Sequence, residues 1–208
     1  MFWDRIAILY DLFETIYNGK VYNKLGVQVA TLLKPTDNVL ECACGTGNIT
    51  KYIASNCHSV VATDISLGMI RQAIKNCKIH NNVTFKQESI TQIEADNCSF
   101  DAVLAGNVIH LLSNPYDAVS EMLRVCKIGG KVIIPTYINL EEKGKTKPLV
   151  KLLHILGANF KQQFNIDTYQ EFFKKAGYNN VEFFIVEGKM PCAIAVIEKT
   201  TPQMSVLR

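Results

Sequence analysis

The spacing of apolar positions changes once along this chain, after residue 35. Before that point apolar side chains recur every three or four positions, which predicts two amphipathic helices. The positions that carry this repeat are Phe2, Ile6, Tyr10 and Phe13, followed by Val21, Leu25, Val29 and Leu32. Pro35 is expected to end the second helix, because proline cannot continue the helical hydrogen-bond ladder.

After residue 35 short apolar runs alternate with amphipathic segments, a pattern typical of strands and helices in turn. The runs predicted as strands are Asn38–Cys42, Ser59–Thr63, Val83–Gln87, Phe100–Ala105, Lys131–Pro135, Val181–Val186 and Cys192–Glu198. The segments predicted as helices are Asn48–Ser55, Ser66–Cys77, Tyr116–Cys126 and Asp167–Ala176. We expect Ser66 to be an N-cap, Gly129-Gly130 to end the third helix and Gly177 to end the fourth.

This alternation predicts the fold class α/β, with a doubly wound, mostly parallel seven-stranded sheet. The last two strands are separated by the short turn Glu187-Gly188-Lys189. A parallel crossover needs a dozen residues or more, so these strands should form a terminal antiparallel hairpin. The expected domains are a helical cap over residues 1–35, the sheet domain over 36–200 with an insertion at about 137–165, and a tail over 201–208.

Composition and charge indicate a globular protein and disfavour several kinds of partner. The chain has 208 residues, 48% of them apolar and 20% charged, which suits one globular domain. Its formal net charge of +3 is too small to indicate a nucleic-acid partner. The sequence contains no apolar run of the roughly 18 residues that would predict a membrane span. Its first residues, which include acids, do not resemble a secretion signal.

The seven cysteines bear on the compartment and on metal binding. Their number is odd and no CxxC pair occurs, which predicts reduced thiols in a cytoplasmic protein. Cys42 and Cys44 could face one way on a strand and bind a metal. We favour small packing residues at a tight turn, because no second pair of ligands accompanies them. The sequence therefore predicts no metal site.

The stretch VLECACGTGNIT, residues 39–50, places small residues directly after the first predicted strand. In open α/β sheets, ligands bind at the carboxyl ends of the strands. Gly45 and Gly47 allow a ligand to approach the backbone, and the helix that follows would direct free N–H groups at it. A dinucleotide loop would have a third glycine where Thr50 stands, so the glycines alone are weak support for any ligand.

Two acids beside this loop limit the kind of ligand. Glu41 ends the first strand, where a carboxylate would repel a pyrophosphate but suit a cation. Asp64 ends the second strand, where a carboxylate can accept both hydroxyls of a ribose. Alternatively, Asp64 is an acid that stabilises the start of the next helix through its dipole. Together the two acids suggest an adenosine ligand with positive charge and no phosphates.

Four segments, in order, resemble the successive motifs of class I S-adenosylmethionine-dependent methyltransferases: VLECACGTG, VVATDISLGMI, FDAVLAGNVIHLL and KIGGKVIIP. The resemblance covers about residues 36–200. It is greatest to the small-molecule branch that includes the ubiquinone/menaquinone C-methyltransferases and soluble phospholipid N-methyltransferases. It implies a Rossmann-like methyltransferase fold, S-adenosyl-L-methionine as cofactor, S-adenosyl-L-homocysteine as product and a small-molecule acceptor. Ala43 replaces a glycine that many members have, a mild departure if its φ is negative.

The resemblance also implies a set of cofactor-binding residues. It assigns the methionine part of the cofactor to Glu41, Ala43, Gly45, Asn107 and Val108. It assigns the ribose to Asp64 and the adenine to Ile65, Met69, Glu88 and Ser89. Met69 could equally be a core residue, and Glu88 a solvated turn residue.

Methyl transfer from a sulfonium is an in-line displacement with a neutral leaving group, so alignment can supply most of the acceleration. A base is needed only if the acceptor must lose a proton. His110, in NVIHLL after the fourth strand, is the candidate base, or else a packing histidine. Tyr10 is the second candidate catalytic residue, because family members often have an aromatic residue in an N-terminal helix over the donor and ring faces attract a sulfonium.

The choice of acceptor should depend on the N-terminal helices and on the insertion from about Tyr137 to Phe164. Long connections of this kind are often lids. The insertion mixes apolar residues with Lys143, Lys145, Lys147 and Lys151, which would suit an aromatic or lipid-like acceptor, or is a solvated face. Two other functions stay open: a non-catalytic S-adenosylmethionine-binding module and, disfavoured by Glu41 and Thr50, a nicotinamide-dependent oxidoreductase.

Overall fold

The protein is described from a computed structural model over residues 3, 4, 7, 21, 23–138, 141, 142, 145, 146, 161–188 and 190–200, the described part of the chain. Its strands are β1 (Asn38–Cys42), β2 (Ser59–Asp64), β3 (Val83–Gln87), β4 (Phe100–Ala105), β5 (Cys126–Tyr137), β6 (Glu141–Glu142), β7 (Lys145–Thr146), β8 (Val181–Val186) and β9 (Cys192–Glu198). Its helices are α1 (residues 23–30), α2 (Thr50–Ile53), α3 (Leu67–Asn76), α4 (Pro115–Val125) and α5 (Ile166–Lys175), with a 3₁₀ turn at Ile109–Leu111.

Seven of these strands form one sheet in the order β3-β2-β1-β4-β5-β9-β8. The pairs from β3 to β5 are parallel, whereas β9 is antiparallel to both β5 and β8. The predicted fold class, including the terminal antiparallel hairpin, is therefore confirmed. The strand order reverses between β1 and β4, because the chain from β1 runs first to β2 and β3 and then returns to β4. This reversal is where a ligand is expected in such a sheet.

Helices cover both faces of the sheet, because successive side chains along each strand point to opposite faces. Val39 of β1 packs with the cluster that contains residues of α1, α2 and α3. The next residue, Leu40, packs with the cluster that contains residues of α4 and α5. Val21, Leu25 and Val29, three positions of the predicted helical repeat, are buried in the first cluster.

Predicted element boundaries were wrong around α2 and at the junction of α4 and β5, since β5 begins at Cys126 rather than at Lys131. The predicted helix Asn48–Ser55 is only α2, four residues long, with turns on either side. Gly129-Gly130 does not end α4, because α4 already ends at Val125 and both glycines lie inside β5. Gly129 has a φ of 77°, and a Cβ on Gly130 would lie 2.6 Å from Asp101 O. The two glycines therefore allow the register shift that occurs between β4 and β5.

Two predicted helix ends are confirmed. The Ser66 hydroxyl accepts a hydrogen bond from Met69 N–H at 3.2 Å, as expected of the N-cap of α3. Gly177, with a φ of 84°, follows the end of α5.

The predicted division into domains stays a prediction, because much of the cap and of the insertion lies outside the described residues. In the cap, residues 3, 4, 7, 21 and 23–30 are helical, whereas Phe2, Ile6, Tyr10 and Phe13 lie outside the described part. In the insertion, β6 pairs with β7, and a bridge between Ile138 and Phe164 joins its two ends. The tail lies outside the described part. None of the described helices combines the length and apolarity needed to cross a membrane.

Tyr169 of α5 joins the helix to the sheet through a buried hydrogen bond. Its hydroxyl donates to Ile134 O of β5 at 2.6 Å, and its ring contacts those of Phe164, Phe173 and Phe183. We expect Tyr169→Phe to lower the free energy of unfolding by about 1–2 kcal/mol, because the buried carbonyl loses its donor. Urea denaturation measures this value.

The matched control is Tyr116→Phe, at a partly buried ring that stacks on Phe172. Its expected change is within about 0.5 kcal/mol. An equal loss in both variants would show that the Tyr169 hydroxyl contributes no special stability.

Candidate functional site

A cavity opens at the carboxyl ends of β1, β2 and β4, beside the point where the strand order reverses. Eight of the ten residues that the sequence analysis assigned to a cofactor line it: Glu41, Ala43, Gly45, Asp64, Ile65, Met69, Asn107 and Val108. They come from three separate stretches of the chain, at 41–45, 64–69 and 107–108, so the sheet topology brings them together.

The loop after β1 reverses direction through three residues in the left-handed region. These are Ala43 (φ 51°), Gly45 (φ 56°) and Gly47 (φ 82°). Cys44 N–H, between the first two, donates to Thr63 O of β2 at 2.8 Å. A Cβ on Gly47 would lie 2.8 Å from Cys77 Sγ, so only glycine lets the loop pack this close to α3. A Cβ on Gly45 would meet no atom within 4 Å, so its backbone borders open space.

The expectation about Ala43 was wrong. Alanine in place of glycine is a mild departure only if the φ of this residue is negative. The φ of Ala43 is positive. The left-handed region brings Cβ close to the carbonyl oxygen and costs a non-glycine residue roughly 1–2 kcal/mol. Asn107, at the turn after β4, is also left-handed with a φ of 54°, a conformation that asparagine tolerates better. Two of the three non-glycine residues with positive φ in the described part therefore lie at this cavity.

Asp64 connects the loop to the beginning of α3. Its Oδ2 accepts a hydrogen bond from Gly45 N–H at 2.9 Å, and its Oδ1 accepts one from Ser66 N–H at 2.8 Å. Burial raises the pKa of this carboxyl, and the two N–H donors partly offset the effect. An ionised carboxylate has about four lone-pair sites, so each oxygen can accept a second hydrogen bond from a ligand hydroxyl.

Glu41 lies deeper in the same site and is only 2% exposed. Thr50 Oγ1 donates to its Oε2 at 2.6 Å. Burial raises the pKa of Glu41 to about 8, with a smaller contribution in the same direction from the charge of Asp64. The threonine hydroxyl lowers the pKa but does not cancel these effects. A cationic group in the cavity would therefore favour the ionised form of this acid.

The turn after β4 forms another wall of the cavity. Asn107 N–H donates to Pro135 O of β5 at 2.8 Å, which fixes the turn against the neighbouring strand. A Cβ on Gly106 would lie 2.5 Å from Ile49 Cδ1, so glycine allows the turn to approach the glycine loop. This close approach places the backbone of Asn107 and Val108 along the cavity.

Glu88 and Ser89 are not among the residues that line the cavity. Glu88 follows β3, and its Oε1 accepts a hydrogen bond from Glu94 N–H at 2.7 Å. Ser89 Oγ lies 2.9 Å from Thr91 Oγ1. Because Glu88 N–H donates to Asp64 O at 3.1 Å, the pair still borders the strand end that carries Asp64. Their assignment to the adenine stays a prediction.

The structure places His110 outside the cavity lining, in the 3₁₀ turn after β4. It is 2% exposed, and its Nδ1 lies 3.0 Å from Thr136 Oγ1. Burial lowers the pKa of His110 to about 4, so the imidazole is neutral at neutral pH. A base must reach the proton that it removes. This arrangement agrees with the alternative of a packing histidine. Tyr10, the other candidate catalytic residue, lies outside the described residues.

Sequence reasoning missed Trp3, which lines the cavity from the N-terminal side. One signal for it existed, since Trp3 is the single tryptophan of the chain and begins an apolar helical pattern. Cys44 also lines the cavity and Cys42 is fully buried, as expected of small packing residues. Within the described residues, no three histidine, cysteine or acidic side chains are grouped as metal ligands would be.

The chain is similar to known proteins over this region. Residues 40–134 match the family described as "Methyltransferase domain". The match runs from β1 into β5 and so includes the strand ends that form the cavity. The demethylmenaquinone methyltransferase of Renibacterium salmoninarum is 33% identical to this chain over 138 residues, which are 65% of this chain and 56% of that protein. The demethylmenaquinone methyltransferase of Clavibacter sepedonicus is 28% identical over 134 residues, 64% of this chain and 55% of that protein.

Solved structures resemble this chain in fold. An S-adenosylmethionine-dependent methyltransferase from Aquifex aeolicus superposes with a TM-score of 0.61 and 21% identity. The superposition covers 89% of this chain and 92% of that one. The chain spans about half the length of the curated relatives that it matches.

The backbone strain at Ala43 yields a prediction about stability. We expect Ala43→Gly to raise the free energy of unfolding by about 0.5–1 kcal/mol, because relief of the left-handed strain exceeds the greater entropy of glycine in the unfolded chain. The reverse change at a similar φ is the matched control. Gly45→Ala should lower the free energy of unfolding by about 1 kcal/mol, since its Cβ meets no atom and only backbone strain is added. Urea denaturation tests both, and a destabilised Ala43→Gly would contradict the argument.

A second prediction concerns the pH dependence of stability. Because the pKa of Glu41 is raised in the fold, the folded protein holds this proton more tightly than the unfolded chain. Glu41 therefore stabilises the fold most at a pH below the usual glutamate pKa. As the pH rises toward about 8 this contribution is lost, and the free energy of unfolding falls by up to about 1.4 kcal/mol per pH unit. Glu41→Gln should remove this decline between pH 5 and 8.

Urea denaturation across that pH range measures the slope. The matched control is Glu121→Gln. The hydrogen bond from Arg124 holds the pKa of Glu121 below its usual value, so its effect lies at lower pH. This control should keep the slope of the wild type. A wild-type slope in Glu41→Gln would show that Glu41 is ionised throughout the range.

Proposed function

We propose that this protein is an S-adenosylmethionine-dependent methyltransferase that transfers a methyl group to a small-molecule acceptor. The observation that carries the proposal is the cavity at the strand reversal, where Glu41 and Asp64 lie beside the open backbone of Gly45. Two buried acids disfavour phosphates and suit a ligand with a ribose diol and positive charge. The family match over residues 40–134 supports the same cofactor.

The residues present fit S-adenosyl-L-methionine along its length. Asp64 can accept the ribose hydroxyls while it keeps its bonds to the loop and to Ser66. Ile65 and Met69 supply an apolar wall for the adenine. Glu41, together with the backbone of Asn107 and Val108, is near enough to the glycine loop to hold the charged methionine end. These assignments are proposals for this chain.

When bound, S-adenosyl-L-methionine supplies an activated methyl group and leaves as S-adenosyl-L-homocysteine. The part of this protein in the reaction is to orient the donor and to exclude water from it, since alignment can supply most of the acceleration. We propose that His110 takes no proton from the acceptor. It is enclosed by the protein and lies against Thr136 rather than along the cavity.

We propose an aromatic or lipid-like acceptor. The support is the name of the relatives, demethylmenaquinone methyltransferase, and the apolar residues of the insertion. The helical cap over residues 1–35 and the insertion at about 137–165 would form its walls. The net charge of +3 favours a small molecule over nucleic acid. A reducing, cytoplasmic compartment is part of the proposal and rests on the seven cysteines, all of which are thiols.

Calorimetric titration with S-adenosylmethionine, S-adenosylhomocysteine and NADH tests the cofactor. We expect both adenosyl ligands to bind and NADH not to bind. Asp64→Asn should weaken both adenosyl ligands by about tenfold or more, because hydrogen bonds to a charged group contribute roughly 1.5–3 kcal/mol. The matched control is Asp117→Asn, an acid of α4 outside the cavity, which should bind as the wild type does.

Three outcomes would change the conclusion. Binding of NADH alone would favour a nicotinamide-dependent oxidoreductase. If Asp64→Asn and the wild type bind the adenosyl ligands with equal affinity, Asp64 does not bind the ribose. Tight binding of the adenosyl ligands without transfer of a labelled methyl group to a panel of demethylated quinones and related phenols would favour a non-catalytic binding module.

A further inference from the structure

The N-terminal segment contacts the methyltransferase domain at the start of α3. Asp4 Oδ1 accepts a hydrogen bond from Gly68 N–H at 2.8 Å and another from Ser66 Oγ at 2.7 Å. Both donors lie in the first turn of α3 or at its N-cap, where backbone N–H groups have no helical partner. One carboxylate oxygen therefore joins two residues that are more than 60 positions away in sequence.

The packing at this contact is close. A Cβ on Gly68 would lie 2.6 Å from Asp4 Cα and 2.7 Å from Asp4 O. Glycine at this position lets the N-terminal backbone approach α3. Hydrogen bonds from Gly68 N–H and then Ser66 Oγ hold the pKa of Asp4 below its usual range, so the carboxylate is ionised at neutral pH. The contact is thus a charge-assisted one.

The residue before Asp4 reaches the cavity. Trp3 lines it together with Ile65 and Met69, which flank the α3 start that Asp4 binds. Ser66 also donates its N–H to Asp64, the acid proposed for the ribose. Ser66 therefore binds both Asp4, through its hydroxyl, and Asp64, through its N–H.

From this geometry we propose that Asp4 is a positioning residue that holds the Trp3 ring as a wall of the cofactor cavity and so slows the release of the bound adenosyl ligand. This inference rests on the proposed function, because that function supplies the adenosyl ligand. It adds to that function a residue, Asp4, that acts through Trp3 rather than by contact with the ligand.

Trp3 is the only tryptophan of the chain, so tryptophan fluorescence reports on this wall alone. In the free protein, acrylamide should quench Trp3 more strongly in Asp4→Ala than in the wild type. S-adenosylhomocysteine should change the fluorescence of the wild type, and in stopped flow it should dissociate at least about fivefold faster from Asp4→Ala, a fold-change of the size that a charged hydrogen-bonded contact can give. Asp4→Asn, which keeps an acceptor oxygen, should lie between the two.

A double-mutant cycle separates positioning from a general loss of structure. By calorimetry, Trp3→Ala and Asp4→Ala should each weaken S-adenosylhomocysteine, and the double variant should be no weaker than Trp3→Ala. Additive losses would overturn the inference, because Asp4 would then act independently of Trp3. Asp37→Ala is the matched control, since Asp37 also accepts a backbone hydrogen bond, from Lys34 N–H at 2.8 Å, but does not line the cavity. It should bind as the wild type does.

The failure of this inference differs from the failure of the proposed function. If S-adenosylhomocysteine binds the wild type and Asp4→Ala with equal affinity and equal dissociation rate, the positioning role is wrong and the function stands. If it does not bind the wild type, the function and the effect on release are both wrong. Equal acrylamide quenching in the wild type and Asp4→Ala would overturn the claim that Asp4 holds Trp3, whichever ligand binds.

Discussion

The cavity depends on one carboxylate that joins two parts of the chain. Asp64 accepts hydrogen bonds from Gly45 of the glycine loop and from Ser66 at the start of α3. These N–H groups lie next to the cavity and have no partner in a strand or helix. Without the carboxylate, both N–H groups would lose this acceptor, which is costly for the fully buried Ser66. Asp64 thus fixes the distance between the loop and the helix, and this distance defines the mouth of the site.

Several unfavourable features gather around this carboxylate. Glu41 and Asp64 are both buried, and burial raises the pKa of each. Ala43 and Asn107 both have left-handed backbones. Local strain of this kind persists where the surrounding structure holds it in place and is common at functional sites. Here the β1–β2 and β1–β4 pairings hold it, and the result is a concave surface that carries two carboxyl groups at the point where the sheet order reverses.

For the proposed methyl transfer, the arrangement favours positioning of the donor over proton transfer by a side chain. The imidazole of His110 is neutral and enclosed, and the backbone carbonyl of this residue accepts hydrogen bonds from Lys161 N–H and Gln162 N–H at the end of the insertion. This residue therefore connects the base of the insertion to the turn that follows β4. In-line transfer from a sulfonium needs alignment first, which is what a rigid sheet edge and a fixed insertion base can supply.

The sequence alone determined the fold class and most of the candidate cofactor site. Strand alternation and the short turn after Val186 were enough for the sheet and its hairpin, since both depend on local patterns. Eight site residues were predictable because they lie at strand ends next to recognisable motifs. The end of α4 was not predictable, because Gly129-Gly130 meets a steric need of β4 and β5 that is visible only when the strands are paired.

Tertiary structure alone decided three properties of the site. The sign of φ at Ala43 follows from the path of the loop between β1 and β2, which no single residue encodes. The enclosure of His110 follows from the position of Thr136 on a neighbouring strand. Trp3 lines the cavity beside Asp4, which meets α3 across a separation of more than 60 residues. Local sequence sets the type of each element, whereas contacts between distant segments set which side chains a ligand would meet, because burial and strain arise only when those segments pack.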